Sequence, residues 1–211
     1  MRSRYIETMG LNDALQKILI LYQILDIRKM LRYELVKNGN YSKSNVNKLA
    51  TACVSYGSYS VKYKSGNILF EEEFISLSND KPTQQLIENG GGFVNNKRII
   101  PTDRERLSDN SQRYIDAAVG SALDSESKVI EYVLEKIRIE RNILLEKSRK
   151  DLLEEGYLHD DLIVDFKIIV EMHPCKSCEN IIDTHRKHCP VKPIFYDFGT
   201  LYHNLNFNYE K

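Results

Sequence analysis

Leu162-Ile163-Val164-Asp165-Phe166-Lys167-Ile168-Ile169-Val170, followed after a few residues by Pro174-Cys175-Lys176-Ser177-Cys178, decides the fold. The first part, about Leu162 to Glu171, is a short apolar run rich in β-branched and aromatic residues, as expected of a buried strand. Proline suits the first turn of a helix, where its missing N–H would be unpaired anyway and its φ is already set. A helix is therefore predicted over about Cys175 to His188, and a further strand over about Val191 to Asp197. Strand, helix and strand in that order signal an α/β chain.

Upstream, Val129, Ile130, Val133, Leu134, Ile137, Ile143, Leu144, Leu152 and Leu153 recur near the helical repeat. They predict a helix from Ser125 to about Glu155, stopped by Gly156 and broken near Arg141, where the apolar phase drifts. Val54 to Tyr63 is rich in β-formers, and Lys64-Ser65-Gly66-Asn67 supplies turn chemistry before Ile68-Leu69-Phe70, which predicts a hairpin. Leu11 to about Lys37 reads as a long helix. Ile20, Leu21, Ile24 and Ile27 widen its apolar face, so it either lies deep in the domain or offers a second face to a partner. About residues 78 to 120, with Pro82, Pro101 and Gly90-Gly91-Gly92, read as an irregular insertion with one short helix near Asp109 to Val119. The expected architecture is a three-layer α/β/α sandwich with a mixed sheet. It divides into an N-terminal helical extension, residues 1–48, and a catalytic domain, residues 49–211.

The 211 residues, 42% of them hydrophobic, suffice for a real core and argue against disorder. The 30 basic and 30 acidic side chains cancel. No global positive field then draws the chain onto duplex DNA, and a nucleic-acid substrate needs a local groove. Cysteines few in number, with one C-x-x-C pair, suit a reducing, cytoplasmic setting. The opening MRSRYIETMG has no apolar core or cleavage site, and the run Ile18 to Leu25 is interrupted by Gln23 and closed by Asp26. Neither a signal peptide nor a membrane span is predicted, so any export must be handled by another part of a longer polypeptide or a dedicated apparatus.

Two thiolates in C-x-x-C and one further side chain give a zinc ion three protein ligands, leaving a fourth position for a water whose pKa the metal lowers. Asp124-Ser125-Glu126, at another predicted helix start, is the natural complement, and together the two stretches suggest a catalytic zinc site. Plainer readings stand beside it. Asp124 at a helix start is ordinary capping chemistry. The cysteine pair also reads as a thioredoxin-like redox couple, which leaves Asp124 and Glu126 without a role. A structural zinc site would recruit Cys175, Cys178, His185 and either His188 or Cys189. If the helix continues, however, His185 lies about 10 Å along the axis from Cys178. His185 and His188 then read as solvated, and Cys53 and Cys189 as buried or incidental thiols.

Asp124-Ser125-Glu126-Ser127-Lys128-Val129-Ile130 and Glu171-Met172-His173-Pro174-Cys175-Lys176-Ser177-Cys178 together resemble the two motifs of the cytidine deaminase-like superfamily. The chain looks most like the deaminase domains at the C-termini of bacterial polymorphic toxins. There the first ligand can be aspartate in a D-[ST]-E-x-K-[IVL]-[IL] helix start, and the second motif is often P-C-x-S-C. The resemblance covers about residues 50 to 200 in element order and implies a cytidine deaminase-like fold. It implies Asp124, Cys175 and Cys178 as zinc ligands and Glu126 as proton shuttle. It further implies that the backbone N–H of Ser125 and the carbonyl of His173 hold the oxygen and amino group of the base. The implied activity is hydrolytic deamination of cytosine to uracil in single-stranded DNA or RNA, by a toxin acting in the cytoplasm of a competing cell and neutralised by an immunity protein. A free nucleoside or nucleotide, or adenine, stays open as substrate.

D-x-E in place of the common H-x-E has an electrostatic consequence. Aspartate with two thiolates puts three negative charges around a divalent ion, so bound water is less acidic unless a cation compensates. Lys128, Arg104, Arg106 and Arg113 are candidates. Tyr56, Tyr59 and Tyr63 with Lys62 and Lys64 offer stacking and charge for nucleic acid, although strand tyrosines equally serve sheet packing. A zinc-stabilised interaction module using the N-terminal helix is the non-enzymatic alternative.

Overall fold

The computed structural model describes residues 11–37, 39, 41–116, 121–171 and 176–188. In chain order it contains helices α1 (Leu11–Val36) and α2 (Lys43–Thr51), strands β1 (Val54–Tyr63) and β2 (Ile68–Leu77), and helix α3 (Asp80–Gly90). Short strands β3 (Phe93–Val94) and β4 (Lys97–Ile99) and helix α4 (Arg104–Ser108) come next. Helices α5 (Ser125–Glu140) and α6 (Arg149–Glu154), strand β5 (Leu162–Val170) and helix α7 (Lys176–His188) complete it, with 3-10 turns at Asn110–Gln112 and Ser121–Leu123.

The sheet has five strands in the order β3-β4-β2-β1-β5. It is mixed: β1 runs antiparallel to both β2 and β5, and β4 runs parallel to β2. Gly57 permits a close approach of β1 to β5, because a Cβ there would stand 2.0 Å from the Lys167 carbonyl oxygen on β5. Any other residue at that position pushes the two strands apart.

Alternation along the strands builds two cores, one on each face. Tyr59 and Val61 of β1, Phe70 and Phe74 of β2, and Val164, Phe166, Ile168 and Val170 of β5 meet Val129, Ile130, Val133, Leu134 and Ile137 of α5. Val54 and Tyr56, Ile75 and Leu77 point the other way, toward Ile24, Ile27, Leu31 and Leu35 of α1 and Leu86 of α3. The arrangement is an α/β sandwich with helices on a mixed sheet. Each fully buried side chain of this size contributes about 1.5–3 kcal/mol, so each face alone outweighs any single surface contact.

The two halves of α1 differ in burial. Its C-terminal half is core, whereas Leu15, Ile18, Leu19 and Tyr22 are exposed. The expected break after Arg141 is present: α5 ends at Glu140, and Asn142 takes a positive φ of 54°.

The region from residue 78 to 120 departs from its reading as an irregular insertion. It forms α3, which tolerates Pro82 in its first turn and ends on left-handed Gly91 at φ 62°, and it adds β3 and β4 to the sheet. Of the helix expected near Asp109 to Val119, the described residues form one 3-10 turn followed by non-helical Arg113 to Asp116, and residues 117–119 lie outside the described residues. Helix α2 begins within the polar stretch Asn38 to Lys48; its signal is Ser42, whose side chain caps the helix by accepting from the Asn45 N–H. The strand expected over Val191 to Asp197 lies outside the described residues. Among the described residues, no helix is long and apolar enough to cross a membrane.

Candidate active site

Helix α5 starts with buried polar groups where a helix packed on a sheet would ordinarily present apolar ones. Ser125, Glu126, Ser127 and Lys128 are all buried. Asp124 stands at the N-cap with extended backbone and makes no side-chain capping hydrogen bond, so capping does not account for it. Its Oδ2 accepts from the Cys178 thiol at 3.3 Å, across 54 residues of sequence.

That separation suits a shared metal. Two ligands of one tetrahedral zinc, with bonds of about 2.3 Å to sulfur and about 2.1 Å to oxygen, stand about 3.6 Å apart. Cys178 is buried in the first turn of α7. Cys175 and His173 lie outside the described residues. Among the described residues no group of three His, Cys, Asp or Glu side chains gathers as a metal site. Helix α7 runs unbroken through His185, whose backbone therefore stands about 10 Å along the axis from that of Cys178.

Glu126 is 4% exposed. Burial raises its carboxyl above the usual range and the Asp124 charge adds to this, while its own backbone N–H and the Ser125 hydroxyl pull the other way. A carboxyl so placed takes up and releases protons closer to neutral pH than an ordinary glutamate.

Three serines hold that carboxyl in place. Ser125 Oγ donates to Glu126 Oε2 at 2.8 Å and lies 2.6 Å from Ser55 Oγ. Ser76 Oγ donates to the Ser125 carbonyl at 2.8 Å. Ser55 and Ser76 are cross-strand partners on β1 and β2, so the sheet itself presents both hydroxyls to the start of α5. Cys53, one residue before β1, brings its sulfur within 3.7 Å of Ser125 Oγ. Ser55 and Ser76 belong to no motif. The available signal is positional: small polar residues on strand faces that are otherwise apolar.

The four cations raised by the sequence separate by position. Arg104 is 77% exposed and 3.9 Å from Asp80. Arg106 and Arg113 both face Glu131, at 3.0 and 3.5 Å. Lys128 is 1% exposed, and its ammonium donates to Thr102 Oγ1 at 2.8 Å. Burial lowers its pKa to about 8, against the opposing pull of the Asp80 and Asp124 carboxylates. Lys128 is thus the cation whose field reaches Asp124.

The hairpin tyrosines do not form a stacking platform. Tyr56 is buried against α1, with its hydroxyl donating to Gln23 Oε1 at 2.8 Å. Tyr59 is 1% exposed and stacks on Phe74 at 5.8 Å between ring centroids. Packing is their role.

The structure brings together Asp124, Ser125, Glu126 and Cys178 of the residues singled out in the sequence. Comparison with family models, with curated proteins and with solved structures gave no match.

Proposed function

We propose that this chain is a zinc-dependent hydrolytic deaminase of cytidine deaminase-like fold that converts cytosine to uracil in single-stranded DNA or RNA. In this reading it acts as a bacterial toxin in the cytoplasm of a target cell and has a neutralising immunity protein as partner. The observation that carries the proposal is the Asp124 carboxylate lying 3.3 Å from the Cys178 sulfur while making no capping bond to its own helix. The resemblance of both motifs to that superfamily supports it.

Asp124, Cys175 and Cys178 would hold the zinc, which supplies a Lewis acid that makes the attacking water more acidic. Glu126 takes a proton from that water as it adds to C4 of the base and gives it to the ring nitrogen, then moves the second proton, from the new C4 hydroxyl, to the amino group, which leaves as ammonia. The Ser55–Ser125 hydroxyl pair keeps the Glu126 carboxylate in one rotamer for both transfers. Burial of the site keeps bulk water from competing for those protons. The Ser125 N–H and the His173 carbonyl would orient the base.

Wild type and Glu126→Ala are to be expressed in bacteria lacking uracil repair, with sequencing of DNA and RNA. C-to-T changes in DNA or C-to-U changes in RNA that disappear in the variant are expected. Changes retained in Glu126→Ala reject the assigned role, and A-to-G changes move the substrate to adenine. An unchanged sequence in both nucleic acids, with uracil-containing product formed from free cytidine or its nucleotides, moves it to a small molecule.

A further inference from the structure

We propose that Arg28 and Glu171 are positioning residues for the second motif, so that the N-terminal helix α1 is part of the candidate site. This inference rests on the metal reading above and adds to it a role for a part of the chain outside both motifs.

Arg28 is 7% exposed, and its guanidinium grips Glu171 in a two-bond fork, Nε to Oε1 at 2.6 Å and Nη2 to Oε2 at 2.5 Å. The same guanidinium donates to the Leu49 carbonyl at 2.9 Å and the Ala52 carbonyl at 2.7 Å. Those carbonyls close the C-terminal end of α2, where the helix dipole is negative. One cation thereby ties α1, the end of α2 and the exit of β5 together.

Glu171 is fully buried and holds its own strand in register. Its backbone N–H donates to the Val54 carbonyl at 3.1 Å, and its Oε2 accepts from the Val54 N–H at 2.9 Å. Met172, His173 and Pro174 alone separate it from Cys175. On the other strand, Val54 lies between Cys53 and Ser55, both of which reach Ser125. The brace therefore sits where the chain carrying the cysteines meets the strand that supports the Asp124 helix.

Stability alone is a weak reason for such a pair, since replacing both partners of a buried ion pair with apolar side chains is often neutral or stabilising. A bidentate fork fixes direction as well as distance. Set at the exit of β5, it fixes where the chain leading to Cys178 begins, and hence how that sulfur is offered to Asp124.

The test measures metal affinity in the full chain. Zinc binding is read by competition with a chelator, and cobalt(II), substituted for zinc, reports thiolate ligation by its absorption. The paired variant Arg28→Met/Glu171→Met is expected to bind zinc about 10- to 100-fold more weakly, with shifted cobalt bands. Arg28→Lys, which keeps the buried charge balanced but lacks the fork, is expected to fold and to fall between. Leu35→Ala, a core truncation on the same helix, is the control: it lowers the melting temperature but leaves zinc affinity within about twofold of wild type. Wild-type affinity in both the paired variant and Arg28→Lys overturns the inference, as does an equal loss in Leu35→Ala. Cys178→Ser separates the two levels. A wild type that binds no stoichiometric zinc, or binds it independently of Cys178, removes the metal reading and this inference together. A Cys178-dependent site indifferent to the pair removes this inference alone.

Discussion

Glu126 and Glu131 are both buried carboxylates on helix α5, yet their surroundings are opposite. Glu131 accepts from Arg106 Nη1 at 3.0 Å and from the Tyr114 and Ile115 N–H groups at 3.2 and 3.1 Å, with Arg113 Nε 3.5 Å away. Glu126 faces an acidic neighbour, Asp124, and receives the Ser125 hydroxyl. A carboxylate whose oxygens are all engaged by donors serves the fold. One buried beside a like charge keeps its proton longer and remains free to exchange it. Burial of a titratable group is therefore uninformative about function until its donors are counted.

The largest expected effect lies on the structural side of this contrast. Glu131→Ala leaves Arg106 and Arg113 facing each other without their shared anion, and a loss of about 3–5 kcal/mol is expected. Urea unfolding with an unchanged m-value measures it. A loss under about 1 kcal/mol would show that the arginines find other partners and that the contrast is overdrawn.

Glu126→Gln tests the other side. Deamination is expected to fall at least about 10²- to 10⁴-fold, whereas stability stays within about 1 kcal/mol of wild type. If this variant unfolds as readily as Glu131→Ala, the two carboxylates are alike and Glu126 is a structural residue.

Lys128→Met sharpens the comparison with a cation. The ammonium's folded pKa of about 8 lies below its ordinary value of 10.5, so between those pH values the unfolded chain binds more protons. Wild-type stability therefore rises with pH through that window. In the metal-free protein the methionine variant should be more stable at pH 7 by on the order of 1–3 kcal/mol, and the gain should shrink from pH 8 toward 10.5. Melts at pH 7 and 10 decide the sign.

The smallest effect is expected at Glu135, one turn beyond Glu131. Burial tends to raise its pKa, but bonds from Arg138, Tyr114 and Arg149 outweigh burial and hold it at about 2. A depressed carboxylate contributes stability above its unfolded pKa of about 4.5 and loses it as pH falls through about 2. Glu135→Gln should cost on the order of 1–2 kcal/mol at pH 7, discounted for partial solvent screening, and nothing near pH 2. Parallel acid titrations of the two proteins measure the difference.

How much of this was legible follows from the physics of each signal. The hairpin, the buried strand and the two helices that begin at the motifs declare themselves through local periodicity, which needs no knowledge of partners. Asp124, Glu126 and Cys178 stand out in the sequence because they belong to spaced motifs. Helix α3 and strands β3 and β4 do not, since proline and triple glycine dominate their composition, and strands of two or three residues show no alternation. Ser55, Ser76 and the Arg28–Glu171 fork have meaning only through cross-strand register and long-range packing, to which a linear reading is blind. Glu131 was lost for a related reason, because its donors come from the region that read as irregular.

The central strand has a consequence for the order in which the chain is made. β1 can zip onto β2 as soon as the hairpin emerges from the ribosome, but Ser55 through Tyr63 find their second neighbours only when Leu162 to Val170 have been translated. Until then an apolar edge, notched at Gly57, stays open to any passing strand. Slow elongation prolongs that exposure, so soluble yield should fall when translation is slowed between the two strands and recover when a chaperone guards the nascent hairpin.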